Sequence, residues 1–291
     1  MTKKTHNRQL ARVYARRQAE RRQQQRKRAT IVAVVVGVVV LGLVASYFGI
    51  IQGRNAEPSP SALPSVTDTP SPSGDIANQT GTVDPAPGPA EVACGAQAPP
   101  GATTPKPQFA AAPPMTIDPK KTYTATMQTS CGDIVIQLDP GTAPETVNSF
   151  VYLAEQGYFD GQRIHRLDTS IDVIQGGDPT ATGGGGPGYT IPDELTGNES
   201  YGPGAFAMAN AGPDTGGSQF FIITGDKGHG LDSSAAWTIF GQVVEGLDVA
   251  QTIQALPISD PQAAASGDLS GQQPAQAVYI DKVTIRETPA K

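Results

Sequence analysis

The chain has 291 residues, a net charge of −6, two cysteines and three histidines. This length allows one or two folded domains. So few cysteines and histidines argue against a metal centre.

The first 29 residues form a basic segment, with eleven Lys and Arg side chains against the single acid Glu20. Because this segment carries +10 and the whole chain −6, the remaining residues carry −16. Such an asymmetry indicates either a nucleic-acid-binding arm or a membrane topology signal. The residues that follow favour the topology signal, and we expect no nucleic-acid partner.

Residues 30–51 are predicted to form a single transmembrane helix that acts as a signal anchor. The run Ile31–Ile51 has no charged side chain, and about 20 apolar residues suffice to cross the bilayer core. Because the basic residues precede this run, the N-terminus is expected in the cytoplasm and the rest of the chain outside the cell membrane. The alternative is a cleaved signal peptide, for which Val44-Ala45-Ser46 offers a weak cleavage site.

Residues 52–118 are rich in Pro, Ser and Ala and include fourteen prolines. This composition predicts a disordered linker. Cys94 lies in the linker and Cys131 lies beyond it. An even pair of cysteines on the exterior side favours a disulfide between them, with two free thiols as the alternative.

Residues 119–291 are predicted to form one mainly β domain. Alternating apolar residues predict a β-hairpin over 123–138. Helical spacing predicts a helix after Thr142, with Glu145 as its capping-box partner, and a second helix over Leu247–Leu256. Residues 257–276 are predicted to be a long polar loop. Many short strands with two isolated helices favour an antiparallel barrel or sandwich.

A glycine-rich run, Gly183–Gly188, satisfies the G-x-G-x-x-G pattern of dinucleotide-binding sites. However, Pro187 interrupts the run, and neither a hydrophobic strand nor a helix flanks it. We therefore do not expect the run to bind a nucleotide.

Four sequence blocks together identify a family. They are Phe159-Asp-Gly-Gln-Arg-Ile-His-Arg166, Gln175-Gly-Gly-Asp178, Met208-Ala-Asn-Ala-Gly-Pro-Asp-Thr-Gly-Gly-Ser-Gln-Phe-Phe-Ile222 and Thr238-Ile-Phe-Gly-Gln-Val-Val-Glu-Gly246. Through them the chain resembles the cyclophilin peptidyl-prolyl isomerases, from about residue 123 to residue 285.

The resemblance implies a closed eight-stranded antiparallel barrel capped by two helices. It also implies catalysis of cis–trans rotation about X–Pro bonds, without a cofactor or a covalent intermediate. The expected partners are proline-containing peptides and unfolded exported proteins, and the catalytic domain is expected to be monomeric. The alternative is a proline-peptide-binding or chaperone-like module with low turnover.

The resemblance also assigns site residues. Arg166 matches the family's catalytic arginine, and Gln175 matches the residue that braces it. The positions that match substrate-binding residues are His165, Ala209, Asn210, Gln219, Phe221, Leu231 and Trp237.

One loop departs from the family pattern. The family usually has eight positions from the arginine to the glutamine, whereas Arg166 to Gln175 takes nine. The aromatic residue that usually floors the pocket is missing as a result. We expect Ile171 or Val173 to replace it, with Asp172 turned away.

Overall fold

The computed structural model describes residues 79–89 and 91–289. The basic segment, the predicted anchor and the linker up to residue 78 lie outside this range. None of the helices in the described range combines the length and the apolar character that a bilayer span requires.

The described residues form eleven strands and three α-helices. The strands are β1 (Gln79–Val83), β2 (Lys106–Phe109), β3 (Thr122–Thr129), β4 (Gly132–Leu138), β5 (Gln162–Ile164), β6 (Arg166–Asp168), β7 (Val173–Gly176), β8 (Ala205–Met208), β9 (Phe220–Ile223), β10 (Ile239–Glu245) and β11 (Val278–Thr288). The α-helices are α1 (Pro144–Glu155), α2 (Leu247–Gln254) and α3 (Pro261–Ala265). Short 3-10 helices span Ala93–Gly95, Pro100–Thr103, Asp226–Leu231 and Leu269–Gln272.

Nine of the strands form a nearly closed antiparallel barrel, in the order β5-β11-β3-β4-β10-β8-β9-β7-β6. The two edge strands, β5 and β6, are separated only by His165. The backbone N–H of His165 donates to the carbonyl of Gln175 at 2.9 Å. The expected count of eight strands is therefore corrected to nine, because one predicted strand is divided at His165.

The barrel interior is filled with phenylalanine rings. Phe206 packs against Phe240 with ring centroids 4.4 Å apart and against Phe220 at 5.0 Å. From α1, Phe150 reaches the same cluster and stacks on Phe159 at 5.0 Å. Because the apolar residues of α1 recur at helical spacing, they lie on one face of the helix, and this face packs against the barrel.

A second apolar cluster lies on the opposite face of β7, β8 and β9. Along β9, Phe220 and Ile222 belong to the interior cluster, whereas Phe221 and Ile223 belong to this second one. Successive side chains of a strand point to opposite faces, so a continuous apolar run serves both clusters. The second cluster forms the floor of the groove described below.

Helix α1 is capped by a residue from a distant loop. The carboxylate of Glu194 accepts hydrogen bonds from the backbone N–H groups of Glu145 at 3.0 Å and Thr146 at 2.8 Å. The predicted capping box is wrong: the N-cap is Ala143, and the backbone N–H of Thr142 donates to Asp139. A local sequence pattern does not reveal a cap supplied from 49 residues away.

Replacing Glu194 with alanine is expected to lower the free energy of unfolding by about 1–2 kcal/mol, because the first turn of α1 loses both its cap and a negative charge at its positive end. Denaturant unfolding measures this loss. Glu245→Ala, an exposed strand variant, is the matched control. A Glu194→Ala variant as stable as the control would contradict the capping role.

Residues 79–118 differ from the expected disordered linker. Strands β1 and β2 pair as a two-stranded sheet. Phe109 is buried against Tyr152, with ring centroids 5.4 Å apart, and its N–H donates to the carbonyl of Pro187 at 2.8 Å. Cys94 forms a disulfide with Cys131 in the turn between β3 and β4. A few buried anchors therefore order a segment whose composition alone predicts disorder.

The polar stretch 257–276 is more structured than predicted, since it contains α3 and the last 3-10 helix. Helix α3 begins after Asp260, whose carboxylate accepts from the backbone N–H groups of Gln262 and Ala263. The two predicted helices, α1 and α2, are both present, and α3 is an additional one.

Candidate active site

A groove with a cavity of about 970 Å³ runs across the outer face of β7 and β9. The glycine-rich stretch 182–188 and residues 209–211 contribute to its lining, and so do residues of the last 3-10 helix. All nine predicted site residues of the folded domain line this cavity: His165, Arg166, Gln175, Ala209, Asn210, Gln219, Phe221, Leu231 and Trp237.

Strand pairing aligns the central side chains of the groove in one row. Arg166 on β6 lies opposite Gln175 on β7, and Gln175 lies opposite Phe221 on β9. Phe221 in turn lies opposite Ala207 on β8. Because paired residues of neighbouring strands project to the same face, the sheet places a cation, an amide and an aromatic ring side by side.

The apolar end of the groove is built around Phe221, which is only 5% exposed. Its ring packs edge-on against Trp237, with centroids 6.2 Å apart, and lies 6.4 Å from the ring of Tyr201. Leu231 and Ile171 are partly buried against the same cluster. The result is a small hydrophobic pocket with an open side.

The altered loop forms a tight hairpin between β6 and β7. Ile171 and Val173 both line the cavity, as expected for residues that replace a missing aromatic side chain. Between them, the carboxylate of Asp172 turns to Lys227, accepting from its Nζ at 3.0 Å and from its backbone N–H at 3.1 Å.

The guanidinium of Arg166 lies beside this pocket and donates three hydrogen bonds. Nη1 donates to Oε1 of Gln175 at 2.9 Å, as the sequence comparison predicts for the bracing residue. Nη2 donates to Oδ2 of Asp168 at 2.5 Å, and Nε donates to Oε1 of Gln272 at 2.7 Å. Sequence reasoning missed Asp168 and Gln272.

Only Asp168 had a signal in the sequence. It lies two residues after Arg166 in a strand, so their side chains share a face. Gln272 comes from the last 3-10 helix, 106 residues later, and the sequence offers no indication of its position.

Gln219 connects the arginine's partner to the glycine-rich wall. Its Oε1 accepts from Nε2 of Gln175 at 2.9 Å. Its own Nε2 donates to the carbonyls of Gly183 at 3.0 Å and Gly185 at 2.8 Å. A continuous hydrogen-bonded chain therefore runs from Arg166 across the groove.

The glycine-rich wall is shaped by the buried carboxylate of Asp178. Asp178 accepts from the backbone N–H groups of Thr180 at 2.7 Å and Gly183 at 2.6 Å. A Cβ on Gly185 would lie 2.1 Å from Oδ1 of Asp178, so this approach requires glycine. Burial acts to raise the pKa of Asp178, but hydrogen bonds from Thr180 and Gly185 together with the nearby His165 outweigh it and hold that pKa below its usual value. The G-x-G-x-x-G pattern is thus a wall around an internal carboxylate.

The opposite edge of the groove contains Ala209 and Asn210. The N–H of Ala209 donates to the carbonyl of Gln219 at 2.9 Å. Nδ2 of Asn210 donates to the carbonyl of Ala236 at 2.7 Å and to Oδ1 of Asp193 at 3.1 Å. These bonds commit the Asn210 side chain to its neighbours and fix the backbone of the edge.

His165 is a buried, neutral member of the site. It is 6% exposed, and neither of its ring nitrogens has a hydrogen-bond partner among the described residues. Burial lowers the pKa of His165 to about 4, although the nearby Asp178 acts in the opposite direction. The imidazole of His165 is therefore uncharged at neutral pH, and the positive charge at this point of the groove is that of the neighbouring Arg166.

The depressed pKa of His165 predicts a pH-dependent stability. The unfolded chain binds a proton near pH 6.5, whereas folded His165 resists protonation down to about pH 4. Stability is therefore lost as the pH falls through this window, by roughly 3 kcal/mol at most. Denaturant unfolding at several pH values should show a shallower slope for His165→Gln. A slope for His165→Gln equal to that of the wild-type protein would contradict the assignment.

Comparisons with known proteins match the part of the chain that contains these site residues. Residues 124–285 match the family model described as cyclophilin type peptidyl-prolyl cis-trans isomerase/CLD. Peptidyl-prolyl cis-trans isomerase B of Bacillus subtilis is 46% identical over 121 residues, which cover 41% of this chain and 82% of that protein. Peptidyl-prolyl cis-trans isomerase A of Mycobacterium tuberculosis is 37% identical over 187 residues, covering 59% and 96% respectively.

A similar solved structure is that of a cyclophilin type peptidyl-prolyl cis-trans isomerase from Cryptosporidium parvum. It has 27% sequence identity and a TM-score of 0.49, and the match covers 58% of this chain and 99% of that one. The family model covers more than half of the present chain, and each bacterial relative is matched over most of its length.

Proposed function

The chain belongs to the cyclophilin-type peptidyl-prolyl cis-trans isomerases, and from this premise we propose that Arg166 accelerates X–Pro rotation by hydrogen bonding to the twisted imide. The single observation that carries the proposal is the row Arg166–Gln175–Phe221 across three paired strands. It places a cation held by hydrogen bonds beside the hydrophobic pocket around Phe221.

The chemistry requires no bond cleavage. The barrier of about 18–20 kcal/mol arises from the partial double-bond character of the C–N bond. In the twisted state the imide nitrogen regains its lone pair, and it becomes a better hydrogen-bond acceptor. An arginine N–H that donates to this nitrogen or to the adjacent carbonyl stabilises the twisted state more than either planar isomer. Only such differential stabilisation raises the turnover rate.

The two ends of the groove bind different parts of the substrate. The ring of the substrate proline packs on Phe221, with Leu231 and Trp237 beside it. The extended residues before the proline lie along Ala209 and Asn210, whose backbone holds them by hydrogen bonds. With one end of the peptide held, rotation is confined to the prolyl bond, and water is excluded from the arginine.

A complex of the full-length chain with an Ala-Pro peptide tests this arrangement. We expect the proline ring on Phe221, with Nη1 or Nη2 of Arg166 at a hydrogen-bonding distance of about 3 Å from the prolyl nitrogen or the adjacent carbonyl oxygen. A peptide bound with its proline outside the Phe221 pocket would contradict the proposal.

We further propose that the enzyme acts outside the cytoplasm, tethered to the cell membrane, on exported or envelope proteins. The basic segment followed by the uncharged run Ile31–Ile51 supports this topology. The Cys94–Cys131 disulfide supports an oxidising compartment. Protease added to spheroplasts should digest the isomerase domain while an N-terminal epitope stays protected. Protection of the domain until the cells are lysed would contradict the topology.

A proline-peptide-binding or chaperone-like module with low turnover is the second candidate. The observation that favours it is the altered Ile171–Val173 floor, which offers less surface than an aromatic ring. The two candidates differ in one measurable quantity, the acceleration of prolyl exchange by substoichiometric protein.

A further inference from the structure

Two residues outside the sequence-predicted site contact the guanidinium of Arg166. We propose that Asp168 and Gln272 are positioning residues, which hold Arg166 in the orientation that catalysis requires. The inference rests on the catalytic role proposed for Arg166. It adds that this chain orients its arginine from three sides, with one holder on the last 3-10 helix.

The number of N–H groups on Arg166, less those used by its protein partners, gives the number available to a substrate. A guanidinium has five N–H groups, of which Nε carries one and each terminal nitrogen carries two. Gln272 takes the only hydrogen of Nε, while Asp168 and Gln175 each take one from a terminal nitrogen. One N–H on Nη1 and one on Nη2 have no partner among residues 79–89 and 91–289, and Arg166 lines the groove.

Three contacts to a planar group fix its position and its rotation. A free arginine side chain populates many rotamers, so ordering it has an entropic cost. A donor that must be oriented during the reaction contributes less than one oriented beforehand. The Arg166 side chain is 22% exposed and that of Asp168 only 8%, so water has little access to this pair.

The Asp168 carboxylate is itself held in place. Its Oδ2 accepts from Arg166, while its Oδ1 accepts from the backbone N–H of Ser170 at 2.9 Å and from the Ser170 hydroxyl at 2.5 Å. Both oxygens are therefore occupied. The β6–β7 hairpin that shifts the Arg-to-Gln spacing thus also supplies a fixed anion for the arginine.

Gln272 lies at the end of a closely packed 3-10 helix. Gly271 is packed so closely that a Cβ there would lie 2.5 Å from the carbonyl oxygen of Asp260 and 2.6 Å from the nitrogen of Ala264. On the other side, the N–H of Ser259 donates to the carbonyl of Gln273 at 2.7 Å. This 3-10 helix is thereby fastened to α3 and to the start of the stretch 257–276. This close packing gives the stretch a function that its polar composition does not suggest.

The test compares kcat and KM for prolyl exchange in an Ala-Pro peptide, using the full-length chain. A displacement of about 1 Å at a reacting group costs as much as 10²-fold in rate, so we expect Gln272→Ala and Asp168→Ala each to lower kcat by about tenfold. KM should stay within about twofold, because the proline pocket is untouched. Asp168→Asn keeps an accepting oxygen and should recover part of the loss.

Two matched controls lie away from the arginine. Gln262→Ala makes the same Gln-to-Ala change on exposed α3, and Asp133→Ala makes the same Asp-to-Ala change on the exposed start of β4. Both should keep the wild-type kcat. A decrease in either control equal to that of Gln272→Ala or Asp168→Ala would overturn the proposal.

A third arm separates positioning from general structural damage. In an Arg166→Ala background, Gln272→Ala and Asp168→Ala should cause no further loss of kcat, since the group they position is absent. Additive losses would overturn the positioning role. If Arg166→Ala alone keeps the wild-type kcat, the proposed mechanism fails. If Arg166→Ala is slow while both single variants match wild type, only the positioning role fails.

Discussion

Replacing Arg166 with alanine is expected to lower kcat/KM for an Ala-Pro peptide by about 10²–10³-fold, the loss typical of removing a preorganised donor from a transition state. The whole effect should fall on kcat, because the side chain that packs on the proline ring, Phe221, remains in place. Peptide affinity, measured by titration, should change by less than about threefold.

The Arg166→Lys variant tests whether positive charge alone is enough for catalysis. Lysine keeps the charge but has a single nitrogen. It therefore cannot donate hydrogen bonds to Gln175, Asp168 and Gln272 at the same time, as Arg166 does from three nitrogens. We expect it to recover less than a tenth of the wild-type kcat. A lysine variant with full activity would show that charge alone suffices and that orientation is unimportant.

Removing the disulfide by a Cys94→Ser/Cys131→Ser double substitution is expected to lower the free energy of unfolding by about 4 kcal/mol. The bond joins residues 37 positions apart, and closing a loop of that length restricts the unfolded chain by about this amount. The loss should show in denaturant unfolding as a lower midpoint, and reduction of the wild-type protein should reproduce it.

The same double variant should keep most of its kcat under native conditions, because strands β6, β7 and β9 hold Arg166, Gln175 and Phe221 independently of Cys94. Its KM should rise modestly. The disulfide-bonded segment holds the glycine-rich wall through Gln108, whose Nε2 donates to the carbonyl of Gly186 at 2.8 Å. Unchanged stability after the substitution would show that the barrel orders residues 79–118 without the bond.

Local patterns predicted most of the strands, whereas the barrel and the central row of the site were implied by the resemblance to the cyclophilins. The row is predictable because Arg166, Gln175 and Phe221 lie in short strands with specific flanking motifs. Strand pairing then converts their positions along the chain into neighbours in space. The spacing from Arg166 to Gln175 also led to the expectation that Ile171 or Val173 replaces the missing aromatic, and both residues line the cavity.

What the sequence did not reveal depends on contacts between distant segments. Glu194 caps α1, and Gln272 holds Arg166 from 106 residues away. Neither residue belongs to a local motif. For residues 79–118, composition alone predicts disorder. A few buried side chains such as Phe109 nevertheless order this proline-rich segment.

The rate of prolyl exchange in an Ala-Pro peptide, followed by exchange spectroscopy with substoichiometric full-length protein, tests the central claim most directly. We expect the exchange rate to rise in proportion to the protein concentration, and to fall nearly to the uncatalysed rate with the same amount of Arg166→Ala. Peptide binding without acceleration, or equal acceleration by wild type and Arg166→Ala, would contradict an isomerase that works through this arginine.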